Sequence, residues 1–241
     1  HQARRTRAIV VAGARRRVPV LSRPVRVPLV AQPRSSDSMG TLRFFNLQPL
    51  METYGCRYLF ETGTGIGDGV QFASYYHFER IWSVEIHPDI AATARERFEG
   101  DDRIRILNET SEQALANVLP GVDPGKPILF WLDAHFPGAD FGLATYKDEP
   151  DMDRRLPLQR ELELIARLRR PCRDVILIDD LRIYEDGPFE QGAMPDFAQT
   201  LPPHLRNIDF VLRRPWSETH DLQRFHQHTG YLVLAPRRAK R

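Results

Sequence analysis

Glu61-Thr62-Gly63-Thr64-Gly65-Ile66-Gly67 is the stretch that decides the fold. It follows a short apolar run from Arg57 to Glu61 and leads into a segment of helical spacing, Asp68 to Phe78. A strand that breaks into alternating glycines and then a helix is a sharp βα turn, built so that backbone can approach something a Cβ would strike.

Outward from this turn, strand-like and helix-like segments alternate. Ile81 to Glu85 reads as a second strand, Pro88 to Phe98 as a helix with proline near its first turn, and Arg103 to Leu107 as a third strand. Ser111 to Leu119 is helical, and Ile128 to Leu132 is wholly apolar, as a parallel strand covered on both faces must be. A helix with Leu158, Leu162, Ile165 and Leu168 on one face precedes a fifth strand, Asp174 to Ile178. Ile208 to Leu212 and Tyr231 to Ala235 are read as two last strands forming an antiparallel edge. An amphipathic segment before the first strand (Leu42, Phe45, Leu47, Leu50, Met51) is expected to cap the sheet edge. The expected class is therefore α/β: a doubly wound, seven-stranded, mostly parallel sheet with an antiparallel C-terminal edge, and ligands at the carboxyl ends of its strands.

The chain has 241 residues, of which 41% are hydrophobic and 27% charged. That suits one domain, placed at 39–241. Residues 1–38 carry nine arginines against the single acid Asp37, so the formal charge of +2 conceals an acidic remainder. This basic stretch has no helical or strand period and reads as a disordered arm. Met39-Gly-Thr-Leu-Arg resembles a natural start, which would make the arm upstream sequence translated in frame; an organelle transit peptide or a nucleic-acid or membrane-binding arm are the alternatives. No apolar run approaches the length of a membrane span. Cys56 and Cys172 follow no metal or redox spacing, and a cytoplasmic protein is expected. An acidic core with no basic groove motif argues against nucleic acid as substrate. A small molecule bearing hydroxyl groups is the expected partner, and a homodimer is compatible with the sequence.

The glycines point to a nucleotide, with a spacing of Gly-x-Gly-x-Gly rather than that of a dinucleotide site. Glu61, two residues before Gly63, would repel a diphosphate but can hold an ammonium group such as that of a methionine moiety. Glu85 closes the second strand 18 residues after Gly67, where a carboxylate accepts ribose hydroxyls. The glycine turn with Glu61 and the acid Glu85 resemble the class I S-adenosylmethionine-dependent methyltransferases over roughly residues 42–236. That resemblance implies S-adenosylmethionine as cofactor, held by Glu61, Gly63, Thr64, Gly65, Gly67, Glu85 and Asp133, with adenine contacts near Asn108, Glu109 and Ser111.

The fourth strand ends in Leu132-Asp133-Ala134-His135 and the fifth in Ile178-Asp179-Asp180. Three carboxylates emerging together repel one another unless protonated or bridged by a cation, so Mg²⁺ on Asp133, Asp179 and Asp180 is expected, with His135 as general base. Asp133-Ala-His135 with Asp179-Asp180 is similar to the metal-dependent sugar O-methyltransferases of the macrocin type, although Leu181 stands where that group tends to have an aromatic residue. The resemblance implies methyl transfer to a sugar or other hydroxylated metabolite. The alternatives are a metal-free enzyme acting on a small molecule or protein, a nicotinamide-dependent oxidoreductase, and a non-catalytic cofactor-binding protein. Residues 136–156 are long enough for a substrate lid, with a solvated loop as the equal alternative. His220, His226 and His228 are expected to be a surface cluster rather than a zinc site.

Overall fold

The computed structural model describes residues 42–145, 147–192 and 201–237. The Arg-rich segment 1–38 lies outside the described residues.

Seven strands form one sheet in the order β3-β2-β1-β4-β5-β7-β6. They are β1 Tyr58–Thr62, β2 Arg80–Glu85, β3 Ile104–Asn108, β4 Ile128–Leu132, β5 Val175–Ile178, β6 His220–Phe225 and β7 Tyr231–Pro236. The first five are parallel, and β7 runs antiparallel between β5 and β6. The register brings the carboxyl ends level: Thr62 stands opposite Val84 and Leu132, and Leu132 opposite Ile178. Whatever follows these residues therefore collects on one edge.

Period-two alternation divides the apolar strands between two cores. Phe60, Phe130, Leu132, Ile176 and Ile178 face α4 (Ser111–Val118) and α6 (Leu158–Leu168), the short α5 (Met152–Arg155) lying between them in the chain. Leu59, Leu129, Trp131, Val175 and Leu177 face α1 (Leu47–Tyr54), α2 (Asp68–Ser74) and α3 (Pro88–Arg97). The segment around α1 packs Phe45 against Trp131 and Tyr231. It thus covers a face of the sheet rather than capping its edge, because its aromatic residues need the flat area over β4 and β7. Helix starts follow local chemistry: Asn46 caps α1, and Thr110 with Gln113 forms a capping box on α4.

At the other end of the strands, Asp174 and Arg169 are buried together. Arg169 Nε and Nη2 each lie 3.0 Å from a carboxylate oxygen of Asp174, and Nη2 also donates to the Lys126 carbonyl at 2.8 Å. Asp174 in turn accepts from the Ile128 amide at 2.7 Å, so the pair fixes the starts of β4 and β5.

Two sequence expectations are corrected here. Ile208 to Leu212 is no strand: Asp209–Leu212 is a single helical turn, followed by a second at Trp216–Thr219. Proline residues flank this stretch at 202, 203 and 215, which leaves too little extended chain for a ladder. The sixth strand is instead His220–Phe225, whose sequence HDLQRF suits a half-buried outer strand. His220 also departs from the expected surface cluster, being 2% exposed with Nε2 against the Asp174 carbonyl at 3.1 Å. Burial lowers its pKa, favouring the neutral ring.

Candidate functional site

The carboxyl ends of β1, β2 and β4 open into a cavity of about 820 Å³ whose walls include Glu61, Gly63, Glu85, Ser111, Asp133 and His135. Glu61 is 1% exposed and accepts a 2.5 Å hydrogen bond from Ser83 Oγ, its register partner on β2. Burial pushes its carboxyl up to about 8 against the lowering effect of Ser83, and the charges of Glu85 and Asp68 add to the rise. Ser83 was not anticipated; a serine inside the apolar run Ile81-Trp82-Ser83-Val84 was its only signal.

The glycine turn is shaped by close approach. Gly63 has φ +82°, and a Cβ there would run into the Asp133 carbonyl, which is backbone and cannot yield. Gly69, outside the expected motif, is also crowded, since a Cβ there would strike the buried Glu61 Oε1 and force that side chain to shift. Thr64 Oγ1 meets Ser83 Oγ at 2.6 Å, and the Gly65 amide donates to Glu85 Oε2 at 3.0 Å. Glu85 Oε1 accepts from the His87 amide at 3.0 Å, so backbone amides fix both oxygens of the carboxylate.

Ser111 and Glu109 line the cavity beyond β3. Asn108 does not: its amide donates to the carbonyls of Glu85 at 2.9 Å and Ile86 at 3.0 Å, bracing the end of β2. Gly67 also stands outside the lining and starts α2 with φ +91°. Residues 136–156 form part of the wall, through Phe136, Phe141, Asp151 and Arg154, with short helical turns at Ala139–Phe141 and Met152–Arg155. Phe136 holds φ +48°, a strained value for a bulky aromatic.

Asp133, His135, Asp179 and Asp180 come together as their strand ends predict. His135 bridges two of the acids, with Nδ1 at 3.5 Å from Asp133 Oδ1 and Nε2 at 3.1 Å from Asp180 Oδ2. Burial alone would lower the imidazole pKa, but the hydrogen bond and charge of Asp180, with the charges of Asp133 and Asp179, carry it up to about 10. Asp133 is pushed well above the carboxylate range by burial and the Asp179 charge. Asp179 is raised to about 7 by burial and the Asp180 charge, and its Oδ1 accepts from the Asp180 amide at 2.7 Å and Thr229 Oγ1 at 3.2 Å. Asp180 is itself buried, yet His135 and Arg182 hold it below the usual range.

A cation of the chain itself also stands among these acids. Arg182 Nε donates to Asp180 Oδ1 at 3.3 Å, because Leu181–Ile183 folds into a 3₁₀ turn that brings residue 182 back over 180. Asp180 has φ +53°, which a short polar side chain tolerates. Both oxygens of Asp180 are thus engaged by cations of the chain. Among the described residues no group of three or more His, Cys, Asp or Glu side chains is arranged to hold a metal ion. The set does not fit Mg²⁺ as it stands.

No family model matches the chain, and no curated protein matches it. Among solved structures, it superposes on a protein assigned as a caffeoyl-CoA O-methyltransferase from Staphylococcus aureus with a TM-score of 0.52 and 13% identity, covering 79% of this chain and 80% of that one. A protein assigned as an O-methyltransferase from Klebsiella pneumoniae gives a TM-score of 0.50 at 16% identity, over 80% and 78% of the two chains. At such identities the likeness establishes the fold, which is that of the class I methyltransferases, with the seven-stranded sheet and antiparallel C-terminal edge expected from the sequence. Among the described residues no helix is long and apolar enough to cross a membrane.

Proposed function

We propose that this protein transfers a methyl group from S-adenosylmethionine to a hydroxyl of a sugar or other hydroxylated small molecule. The observation that carries the reading is the convergence, in one cavity, of the Glu61–Gly65 turn, the backbone-held Glu85 and the Asp133–His135 pair. The residues fit the cofactor. Glu61 would hold an ammonium group, Glu85 would accept from two ribose hydroxyls, and the missing Cβ of Gly63 clears the Asp133 backbone. Bound there, the cofactor supplies an electrophilic sulfonium methyl.

The chain's own task is then to orient the acceptor oxygen and take its proton. Asp133 and His135 both face the cavity, and Asp180 engages the second ring nitrogen of His135. His135 carries a proton at neutral pH when Asp133 is ionised, so the pair works as a unit: the acceptor's proton goes to Asp133, and the imidazolium stabilises the charge until it does. His135 is thus an electrostatic partner rather than the free base expected from its type. Arg182 and His135 balance the acids, and no step is assigned to a metal.

The test is transfer of radiolabelled methyl from S-adenosylmethionine to a panel of sugars, phenols and hydroxylated polyketides, with and without a chelator. Labelled product that survives chelation and is lost in Asp133→Asn supports the reading. Cofactor binding with no transfer to any hydroxyl would favour a different acceptor class, and retention of a nicotinamide cofactor would favour the oxidoreductase.

A further inference from the structure

Behind the acid and histidine array lies a second cavity of about 10 Å³, lined in part by His135, Glu161, Asp179 and Tyr184. That is the space of one water, which needs roughly 10–15 Å³ by this measure and two to four polar partners. Glu161, in the first turn of α6, is 1% exposed. Its Oε1 is buried without a hydrogen-bond partner. Burial pushes the Glu161 carboxyl up to about 7, and the hydroxyls of Ser111 and Thr62, which face the same group, offset part of that rise.

Those two hydroxyls connect to the main site in different ways. Ser111 lines the large cavity, and Thr62 Oγ1 accepts from the Asp133 amide at 3.2 Å. Glu161 therefore ties the start of α4 to the end of β1, and through Thr62 to the backbone of Asp133. A buried acceptor left unsatisfied beside a polar cavity of one-water size points to an occupant. A cation is the weaker choice, because no metal-holding group exists among the described residues.

We infer that Glu161 is a positioning residue of the methyl-transfer site, holding Ser111 and Thr62 on one side and one ordered water through Oε1 on the other. The water gives Oε1 its missing donor and offers Asp179 and Tyr184 a shared partner. Glutamine keeps an acceptor for the hydroxyls and a polar group for the water; leucine removes both. The positioning role rests on the reading of the large cavity as the S-adenosylmethionine site, whereas the water does not.

The experiment combines crystal structures of the wild type, Glu161→Gln and Glu161→Leu with calorimetric titration of S-adenosylmethionine and the amide resonance of Asp133. One water within hydrogen-bond distance of Glu161 Oε1 is expected in the wild type, kept in the Gln variant and absent in the Leu variant. Cofactor affinity should be nearly unchanged in Glu161→Gln and about tenfold weaker in Glu161→Leu, the loss of about one hydrogen bond, with the Asp133 resonance displaced only in the latter. Glu161→Ala, which fits without overpacking, serves if the leucine variant does not fold. A dry wild-type cavity overturns the water. A folded Leu or Ala variant with unaltered affinity and Asp133 resonance overturns the positioning role. A wild type with the water that binds no S-adenosylmethionine leaves the water standing and overturns both the positioning role and the reading of the large cavity.

Discussion

Glu61→Gln should make the free protein more stable, and increasingly so as the pH rises. The folded carboxyl titrates near 8 against the usual 4.5, so the folded state binds a proton more tightly than the unfolded chain does. A raised carboxylate pKa means stability is lost as the pH climbs from 4.5 to 8. At 1.36 kcal/mol per unit, the loss is about 3 kcal/mol at pH 7 and levels off at about 5 kcal/mol above pH 8. Glutamine cannot ionise, yet keeps an acceptor for Ser83. Thermal melts from pH 5 to 8.5 should show the two proteins nearly equal at pH 5, with the variant ahead by about 6–12 °C at pH 7. The same change should weaken S-adenosylmethionine binding, since the carboxylate costs stability only to be available for an ammonium group. A melting-temperature gap that does not vary with pH, or a variant less stable throughout, would refute the reasoning.

Gly63→Ala should abolish cofactor binding in a folded protein, because the added Cβ meets the Asp133 carbonyl and the residue must hold φ +82°; titration calorimetry with a circular-dichroism control checks this. Asp180→Asn should lower the His135 pKa by removing its nearest anion, read by NMR of the imidazole, and depress turnover while leaving cofactor affinity intact. Arg169→Ala should cost about 3–5 kcal/mol in denaturant unfolding, since it leaves Asp174 buried and uncompensated far from the cavity.

The parallel half of the sheet was legible because its strands are buried on both faces and so spell continuous apolar runs, Ile128–Leu132 above all. Glycine spacing and strand-end acids were enough to gather Glu61, Glu85, Asp133, His135 and Asp180 on one edge of the sheet, since in this fold the carboxyl ends must meet. The antiparallel edge was less legible: Ile208 to Leu212 has an apolar pattern that one helical turn uses as well as a strand, and His220–Phe225 is too polar to announce itself. Arg182 was missed because a 3₁₀ turn, invisible in the residue order, folds it onto Asp180. Glu161 was missed because an acid in the first turn of an amphipathic helix normally faces water, and only the packing of α6 on α4 turns it inward. Asn108 shows the reverse limit, since its position after β3 could not reveal that its amide is spent on the β2 backbone.

The measurement that tests the account most directly is calorimetric titration of S-adenosylmethionine into the wild-type protein and into Gly63→Ala, each in the presence of a chelator. Saturable one-to-one binding to the wild type, lost in the variant, is the predicted result. A well-folded wild type that gives no heat and no displacement by S-adenosylhomocysteine would contradict the account.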